Sequence, residues 1–593
     1  MTFTAPASFT TRPTLRGTFG MSASTHWTAT ATAQAVLERG GNAFDAATAA
    51  AFVLHVVEPH LNGPGGDLVA ILRPAGAAEP VVLMGQGPAP AAASIEAFRA
   101  QGLDLVPGSG GLAAAVPGAV DAWLLLLRDH GTWELADVLA FAVGYARDGH
   151  PLVAGAAATI ARVADLFRDH WPSSAERWMP DGAPPQPDDL VRNPAYADVL
   201  EALVAAGAGA PDRRSRIDAA RRTWMTEILP VAADFVAQPH THSDGAARRG
   251  ILDRDDLAAF EAGYEPVVSA QFRGWTVHKP GVWTQGPALL HTLRMLDQLD
   301  DADLDPSTAA GGHTLLEAQK LAYADRDAWF GDTDDAVSAE AFLDDAYVDR
   351  RRSLLTADAS TELRPGSPDG REPLLPPLRT EARASMGSTG EPTVSRTGAT
   401  RGDTCHLDVI DRWGNVVSAT PSGGWLQSSP TVPELGFCLG TRMQMTWLMP
   451  GHAASLVPGR RPRTTLTPTL VTRGDAVTAL GSPGGDQQDQ WQLPALVRMI
   501  VGGYSAQQAI DAPTLHTTAL ADSFWPRTWT PAGAVVEDRL GEDVIAELER
   551  RGHRVTRAGG WALGRVSAVG RDEAGLLFAA ANPRGMQGYA AGR

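Results

Sequence analysis

The chain has 593 residues, enough for one large domain or two to three average ones. Hydrophobic residues make up 44% and charged residues 20%, which is an ordinary globular composition. Its 50 Lys and Arg residues against 68 Asp and Glu leave a net charge of −18, and without a basic stripe this argues against binding nucleic acid. No apolar run reaches the roughly 18 residues of a membrane-spanning helix.

Cysteine usage and the N-terminus indicate the compartment. Cys405 and Cys438 are the two cysteines and allow at most one disulfide, which fits a reducing environment. The first residues lack a basic region followed by an apolar one, so no signal peptide is expected. We therefore expect a cytoplasmic protein. The basic cluster "PDRRSRIDAARR" at 211–222 is interpreted as a solvated face, as most charge runs are.

Helices and strands alternate in the first part of the chain. Residues 25–57 read as two helices, the second apolar on nearly all sides and therefore buried. A glycine-rich turn follows and leads into a short strand, Leu68 to Leu72. Asp253 is the predicted N-cap of a later helix, with Asp256 in its first turn. The stretch "GGHTLLEAQKLAYADRDAWFGD" predicts a long amphipathic helix.

The character of the chain changes at residues 356–403, which are crowded with Pro, Gly, Ser, Thr and charge. Such a segment has too little regular apolar pattern to pack, so we expect it to be mobile. Strand sequence begins abruptly at Thr404, and a turn through Gly414 and Asn415 leads to a second strand. The sequence predicts a hairpin that starts at Thr404.

A mobile segment that ends on a Thr is what an N-terminal-nucleophile hydrolase needs. In such an enzyme the chain cuts itself before a Thr, Ser or Cys, and the new terminus supplies both a hydroxyl and a free α-amine. An α-amine has a pKa near 8, so it can act as general base close to neutral pH. From this stretch alone the alternative stays open that Thr404 is simply the first strand residue after a linker.

Two further features lie downstream. Gly484 and Gly485 end a predicted strand and open a helix, and backbone N–H groups at such a turn can point at a developing oxyanion. Thr464 and Thr465 lie between prolines at a strand start. A pair of glycines is also an ordinary turn, so neither feature decides the function by itself.

Seven or so blocks, in order, resemble the γ-glutamyltranspeptidase family over most of the chain. They are "GGNAFDAATAAAFVLHVVEPHLNGPGGD", "VPGAVDAW", "LDRDDLAAFEA", "FRGWTVHKP", "LEAQKLAYADRDAWFGD", "DTCHLDVIDRWGNVVSAT" and "PGRRPRTTLTPTL…LGSPGGDQQ". An ordered set of this kind is far more specific than any single motif.

The resemblance implies an α/β fold of the four-layer αββα sandwich type found in N-terminal-nucleophile hydrolases. It implies self-cleavage between Asp403 and Thr404, which would divide the chain into a large-subunit region (1–355), the mobile segment (356–403) and a small-subunit region (404–593), the two subunits forming one core. The implied roles are as follows: Thr404 is the nucleophile, Ser422 supplies a second hydroxyl that touches it, Gly484 and Gly485 bind the oxyanion, and Thr464 and Thr465 replace the serines that bind a substrate carboxylate.

The sequence departs from the family where the family grips its glutamyl head group. The aligned position for the carboxylate-binding Arg is Gln86, and the positions for the ammonium-binding acid are Gln444 and Met445. Gly424 stands where the family often has Asn. Losing charge-assisted bonds worth roughly 1.5–3 kcal/mol each would weaken γ-glutamyl recognition by orders of magnitude, unless Arg442 substitutes; Arg442 is equally well interpreted as half of a structural ion pair.

We therefore expect a self-processing amidohydrolase or acyltransferase that needs no cofactor or metal. Its partner would be a small-molecule amide or acyl substrate, with the two fragments of the chain staying associated. Relatives with altered head-group pockets include cephalosporin acylases and oxamate amidohydrolases. Three alternatives stay open: a true γ-glutamyl hydrolase or transferase with a rebuilt head-group site, a carbon–carbon bond hydrolase of antibiotic biosynthesis, and an uncut, non-catalytic relative.

Weaker candidates accompany the main one. Cys405 beside Thr404 is an alternative nucleophile, and His406 shares the strand face of Thr404 but reads better as a core residue. His240 and His242 are spaced by two residues and could bind a metal, but no third ligand follows in a suitable pattern. We therefore interpret this segment as a loop. Four tryptophans could line an acyl pocket but are each better explained as core: Trp283, Trp413, Trp425 and Trp447.

Overall fold

Two seven-stranded antiparallel sheets stacked face to face form the centre of the protein, seen in a computed structural model that describes residues 3–380 and 404–593. Across the first sheet, the strands are β1 (Leu15–Gly17), β20 (Leu577–Ala581), β19 (Ser567–Arg571), β15 (Ala476–Gly481), β14 (Thr469–Arg473), β11 (Trp275–Lys279) and β10 (Val268–Phe272). Across the second, they are β21 (Tyr589–Gly592), β2 (Gly20–Ser24), β12 (Leu407–Asp411), β13 (Val416–Ser422), β3 (Asp67–Arg73), β4 (Val81–Gly85) and β9 (Gly263–Pro266).

Smaller sheets and the helices surround these two. The remaining strands are β16 (Leu515–Thr517), β17 (Gly533–Val536) and β18 (Arg554–Arg557) in one sheet, β5 (His150–Pro151) with β6 (Leu190–Val191), and β7 (His240–Thr241) with β8 (Ala247–Arg248). The helices are α1 (Trp27–Glu38), α2 (Ala43–Val57), α3 (Ile95–Ala100), α4 (Ala119–His130), α5 (Leu135–Asp148), α6 (Ala154–Arg162), α7 (Ala164–His170), α8 (Pro172–Trp178), α9 (Pro194–Ala206), α10 (Arg213–Thr223), α11 (Leu229–Val236), α12 (Arg254–Ala259), α13 (Gly286–Leu296), α14 (Ala309–Trp329), α15 (Ala339–Leu343), α16 (Asp345–Arg352), α17 (Gln488–Ile500), α18 (Ala506–Asp511) and α19 (Glu542–Arg550).

Three apolar cores separate four layers. One face of the second sheet, including Leu407 and Val409, packs under α1, α2, α4 and α5. Its other face meets the first sheet, where Ile71 and Ala479 belong to the same cluster. The outer face of the first sheet, including Val471, packs on α13, α14 and α17. Since side chains alternate between the faces of a strand, each sheet contributes to two cores, and the αββα sandwich expected from the resemblance is confirmed.

Local sequence explains how α2 comes to lie under the strand that begins near Thr404. Asn42 caps the helix by accepting from the backbone N–H groups of Phe44 and Asp45, and Asp45 completes a capping box. Every residue of α2 is buried, as its apolar composition predicts. The predicted N-cap Asp253 also forms a capping box, with Asp256.

Two sequence interpretations are wrong. The helix predicted to be amphipathic, α14, is buried along nearly all its length, because its charged residues are paired inside the protein, as Lys320 is with Glu317. The basic cluster at 211–222 is only partly solvated, since Arg221 is buried and forms a two-pronged ion pair with Asp121.

Only the first part of the segment expected to be mobile belongs to the described residues. Residues 356–380 contain no helix or strand and lie against the body of the protein; the Lys320 ammonium, for instance, donates to the Ser360 carbonyl at 2.6 Å. The predicted cut site at Asp403 falls in 381–403, outside the described residues. None of the described helices is both long and apolar enough to cross a membrane.

Candidate active site

Gln86, Asp67, Ser422 and Thr404 form one row across the ends of four neighbouring strands of the second sheet, β4, β3, β13 and β12. Ser422 pairs with Asp67 in the register of β13 and β3, and Thr404 forms an antiparallel bridge with Ser422. Gln86 follows Gly85, the last residue of β4, which pairs with the neighbour of Asp67. Residues from two distant parts of the sequence, 67–86 and 404–422, thus meet beside the predicted nucleophile.

The hydroxyls of Thr404 and Ser422 contact each other as the resemblance predicts. Thr404 Oγ1 lies 3.1 Å from Ser422 Oγ, and both residues are 2% exposed. Thr404 is β-branched, so its side chain already has few favourable rotamers. The contact with Ser422 restricts it further. It also gives the Thr404 hydroxyl a hydrogen-bond partner.

A buried polar row runs below this pair, between the two sheets. His406 lies on the same strand face as Thr404; its Nδ1 is 3.0 Å from Thr420 Oγ1 and its Nε2 is 2.9 Å from Asp408 Oδ1. A Cβ on Gly481 would lie 2.1 Å from the His406 ring, so glycine is required where β15 passes. His406 is a buried residue with partners on both ring nitrogens, and it brings the end of β15 close to Thr404.

Cys405 points to the opposite side of the strand from Thr404. Its Sγ donates to Glu58 Oε2 at 2.9 Å and accepts from Asn62 Nδ2 at 3.1 Å. Burial raises the pKa of Glu58, which favours the neutral carboxyl group over the carboxylate. The second cysteine, Cys438, is also a free thiol and donates to the Trp425 carbonyl, so the two are not joined in a disulfide.

Cys405→Ala is expected to be cut and to remain active, because the thiol faces α2 rather than the row that contains Thr404. The loss of the bond to Glu58 should lower the free energy of unfolding by about 1–3 kcal/mol. Turnover and denaturant unfolding check this, and Cys405→Ser, which keeps a donor for Glu58, is the matched control. An uncut, inactive but folded alanine variant would make Cys405 the nucleophile.

Gly484 and Gly485 form the turn between β15 and α17. Their φ angles are +128° and +53°, in the region that L side chains rarely adopt. A Cβ on Gly484 would lie 2.5 Å from the Trp491 ring, and one on Gly485 would lie 2.8 Å from Phe524. Both packing and backbone conformation therefore require glycine at the turn where the resemblance expects the oxyanion donors.

A buried charge network that the sequence analysis missed holds this turn. Asp486, next to Gly485, is bonded to the Arg326 guanidinium and accepts from the Ser523 backbone N–H and hydroxyl at 2.8 and 2.6 Å. Burial opposes ionisation, but Arg326 and Arg463 hold the pKa of Asp486 below its usual value. Burial and the charge of Asp486 raise the pKa of Asp522 to about 8. The network fixes the backbone that carries the two glycines.

Thr464 and Thr465 lie inside the protein beside this turn. Thr464 forms a parallel bridge with Thr284, and the next residue, Gln285, donates to the Gly485 carbonyl at 3.2 Å. Thr464 Oγ1 accepts from the Leu466 N–H, whereas Thr465 Oγ1 is buried without a hydrogen-bond partner. The two predicted substrate-binding hydroxyls therefore differ, and only that of Thr465 is left unpaired.

The three predicted head-group residues also differ in their contacts. Gln444 bonds to the Gly108 carbonyl, the Thr441 hydroxyl and the Trp525 N–H, so its amide is occupied within the protein. Gln86 is fully buried with neither amide atom bonded. Arg442 forms a 2.6 Å ion pair with Asp67, as one of the two readings of its sequence predicts, yet its Nη2 has no partner.

Position 424 is crowded by backbone in this protein. Gly424 has a φ of +64°, and a Cβ there would lie 3.0 Å from the backbone of Gly65 and Gly66. A residue such as the Asn that the family often has would be strained here. The departure at Gly424 is therefore part of the local backbone packing.

The four tryptophans do not share one environment. Trp425 is buried in a small cluster with Met445 and Phe524, while Trp283 and Trp447 are buried beneath the guanidinium groups of Arg461 and Arg527. Trp413 is 48% exposed in the hairpin turn, so its interpretation as a core residue is wrong. Its aromatic ring packs instead under the neighbouring Arg412.

The segment interpreted as a loop forms a short hairpin instead, with His240 in β7 and His242 directly after it. Their Nε2 atoms accept from the Gly111 and Leu112 N–H groups at 2.8 and 3.0 Å, and their Nδ1 atoms contact backbone carbonyls. With all four ring nitrogens engaged, the pair has no nitrogen free for a metal.

A second cluster, elsewhere in the described part of the chain, has suitable metal-ligand types: His313, Glu317 and His553 lie with ligand atoms within 4.8 Å of one another. However, Glu317 is already bonded to Lys320 and Arg364. The Nδ1 of His313 is 2.9 Å from the Nε2 of His553. Glu317 and His313 thus have partners within the protein, whereas Nδ1 of His553 has none, and the cluster lies outside the row that contains Thr404.

Comparison with known proteins agrees with this geometry. The oxamate amidohydrolase proenzyme of Klebsiella pneumoniae is 31% identical over 590 residues, which cover 97% of this chain and 98% of that protein. A solved structure of LmbA2991 with a threonine-to-alanine substitution is 53% identical at a TM-score of 0.92, covering 99% of this chain and 100% of that one. The crystal structure of cephalosporin acylase from Bacillus halodurans is 26% identical at a TM-score of 0.82, covering 99% and 98%.

These relatives and the four-layer fold define the class as the N-terminal-nucleophile hydrolases. The family model described as Gamma-glutamyltranspeptidase matches residues 29–592. The chain belongs to the γ-glutamyltranspeptidase family.

Proposed function

We propose that the protein is a self-processing amidohydrolase that cuts itself between Asp403 and Thr404 and then uses Thr404 as its nucleophile. The observation that carries the proposal is the 3.1 Å contact between the Thr404 and Ser422 hydroxyls, three residues before strand β12 begins at Leu407. In this proposal the cut yields a large subunit, residues 1–403, which includes the segment 356–403, and a small subunit, residues 404–593.

The reaction needs one hydroxyl, one amine and one oxyanion site. The Thr404 oxygen attacks the substrate carbonyl carbon while its proton passes to the α-amine, whose ordinary pKa near 8 suits a general base. The carbon–nitrogen bond of the tetrahedral intermediate then breaks, and the leaving amine takes the proton. Water adds to the acyl-enzyme in the same way and releases the acid; an amine in place of water would give transfer.

Ser422 and the glycine turn have distinct tasks in this mechanism. Ser422 orients the Thr404 hydroxyl through their mutual hydrogen bond. The backbone N–H groups of Gly484 and Gly485 stabilise the negative charge that develops on the carbonyl oxygen, a contribution worth about 3–4 kcal/mol per donor in well-ordered sites. The Arg326–Asp486 pair keeps the turn from moving when that charge develops.

The head-group contacts favour an amide other than a γ-glutamyl compound. Met445 lies in an apolar cluster with Trp425 and Phe524, and the Gln444 amide is occupied. Neither position offers a carboxylate to a substrate ammonium, and an unpaired buried charge is costly. The names of the amidohydrolase and acylase relatives are consistent with an altered acyl group.

Denaturing intact-mass measurement of the purified protein tests the cut. We expect two fragments, the smaller beginning at Thr404, because the proposed nucleophile must acquire a free α-amine. Activity towards amides with and without a γ-glutamyl group then separates the proposed amidohydrolase from a γ-glutamyl hydrolase. A single uncut chain that is folded and inactive would support a non-catalytic relative instead.

A further inference from the structure

The hairpin of β7 and β8 binds the backbone of a glycine-rich stretch of chain, residues 108–112. Nε2 of His240 and Nε2 of His242 accept from two successive backbone N–H groups of this stretch at 2.8 and 3.0 Å. Directly after them, Ser243 Oγ accepts from two more of its N–H groups at 2.8 and 3.3 Å. Three neighbouring side chains therefore satisfy four backbone donors of one short stretch.

Close packing accompanies these hydrogen bonds. Gly110 has a φ of +99°, and a Cβ there would lie 2.2 Å from the His242 ring, so the imidazole lies directly against the backbone. His242 and Ser243 are 2% and 1% exposed. Water has little access to this contact, so an N–H group that lost its side-chain acceptor would be left unpaired, which is costly in a buried position.

One end of residues 108–112 contacts a segment that carries part of the apolar cluster of Trp425, Met445 and Phe524. The Gly108 carbonyl accepts from Gln444 Nε2 at 3.2 Å, and the residue after Gln444 is Met445, a member of that cluster. The position of the Gly108 carbonyl therefore helps to fix the backbone that carries Met445.

The middle of the same stretch contacts the segment that carries Trp425. The Gly110 N–H donates to the Ser428 carbonyl at 2.7 Å, and the Ser428 N–H donates to the Trp425 carbonyl at 2.7 Å. Trp425 packs with Met445 in the apolar cluster. Residues 108–112 thus connect the two segments on which this side of the candidate site is built.

Both imidazoles must be neutral to act as acceptors. Nδ1 of His240 is 3.1 Å from the Gln238 carbonyl, and Nδ1 of His242 is 2.9 Å from the His240 carbonyl. A carbonyl only accepts, so each Nδ1 carries the proton and each Nε2 keeps a lone pair for a backbone N–H. A second proton on either ring would place two donors against each other and break the hydrogen bond.

The surroundings keep the rings neutral. Burial lowers the pKa of His240, and burial with the neighbouring His240 lowers the pKa of His242 to about 3. The other charged groups that face His242 are Asp244 and Arg248, which pair with each other, and His170 contacts β7 from outside. Once the contact opens, each hairpin histidine regains its ordinary pKa of about 6.5. The open form therefore gains protons, and stability, as the pH falls below 6.5.

We infer that His240, His242 and Ser243 are positioning residues for the proposed reaction. They fix residues 108–112, which in turn fix the two segments that carry the apolar cluster. When a hairpin imidazole takes up a second proton, residues 108–112 are released and the cluster loses this support. The effect on turnover rests on the proposed function, whereas the release of residues 108–112 by acid does not.

Amide hydrogen exchange of the full chain tests the release without any substrate. His242→Gln keeps an acceptor near the position of Nε2 but does not titrate. Between pH 8 and pH 5, protection of peptides that span residues 108–112 should fall about 30-fold more in the wild-type protein than in this variant. His240→Gln tests the other ring in the same way. Equal falls in wild type and both variants would refute the release.

His170→Gln is the matched control for the exchange measurement. His170 is an exposed histidine at the end of α7, and its ring lies 3.4 Å from the Thr241 hydroxyl, on the hairpin but away from His242 Nε2. Its variant should lose protection with falling pH as the wild-type protein does. A fall as small as that of His242→Gln would show that the titration belongs to the hairpin surface instead, and would refute the assignment to His242.

Turnover at pH 8 tests the positioning role, with the best substrate from a series of straight-chain acyl p-nitroanilides. His242→Leu removes the acceptor and should raise KM by about 5- to 100-fold. We expect kcat to be unchanged, because the affected segments carry the apolar cluster and not Thr404. His242→Gln should restore KM. An unchanged KM in folded His242→Leu, or a loss that His242→Gln does not restore, would refute the positioning role.

The two measurements separate failure of this inference from failure of the proposed function. If no anilide is turned over but acid still lowers protection in the expected way, the amidohydrolase and the effect on turnover are refuted and the release is sustained. If anilides are turned over with the same KM by wild type and His242→Leu, the amidohydrolase is sustained and the positioning role is refuted.

Discussion

Thr404→Ala is expected to remain a single chain of 593 residues and to lose turnover by more than about 10⁴-fold. The substitution removes the oxygen that attacks both the backbone carbonyl in self-cleavage and the substrate carbonyl in catalysis. Only background hydrolysis should remain. Denaturing mass measurement and substrate turnover check the two effects on the same sample.

An uncut variant would be inactive even if Thr404 served only in processing, so the two roles need separate tests. Co-expression of residues 1–403 with 404–593 carrying alanine at position 404 supplies the cut in advance. We expect the assembled, folded fragments to be inactive, while the same pair with Thr404 intact is active. Thr404→Ser, which keeps the hydroxyl, should still be cut. Turnover by the alanine pair would contradict the assignment of the nucleophile.

Gly484→Ala should lower kcat by about 100- to 1000-fold, the usual loss for one oxyanion donor. The new methyl group would lie 2.5 Å from the Trp491 ring at a φ of +128°, so the turn must shift to relieve the contact and its N–H group moves with it. Steady-state kinetics with thermal unfolding on the same variant measures the effect.

Gly503→Ala is the matched control for this substitution. Gly503 follows the other end of α17, has a φ of +66° and would place its Cβ in open space. Its alanine variant should be somewhat less stable because of the strained φ, with kcat unchanged. If folded Gly484→Ala keeps wild-type kcat, the turn does not supply the oxyanion donors.

Sequence could predict the features that follow from local pattern or from the ordered motif blocks. The hairpin beginning near Thr404 follows from alternation and turn chemistry, and the four-layer fold follows from the resemblance. The contact of Thr404 with Ser422 depends on strand register, which the motif blocks preserve. These features depend mainly on residues close together in the sequence.

Features that join distant segments could not be predicted in the same way. The Arg442–Asp67 pair spans 375 residues and the Arg326–Asp486 pair 160, and nothing in either neighbourhood names the partner. The contact of Arg463 with the Ser523 hydroxyl joins residues 60 positions apart and could not be predicted for the same reason. The same limit explains α14, whose charges suggested an exposed face, because distant residues such as Arg364 and Asp486 pair with Glu317 and Arg326 inside the protein.

The order of strands gives the proposed cut a consequence for unfolding. β2, from before the proposed cut, lies between β21 and β12 from after it, and β1 and β11 flank β20 and β14 in the other sheet. The uncut chain folds in a first-order process, whereas the cut protein unfolds into two chains that must find each other again. Its melting temperature should then rise with protein concentration, and dilution after denaturation should prevent recovery. Maturation would thus make recovery of the folded protein depend on how often two separate chains meet.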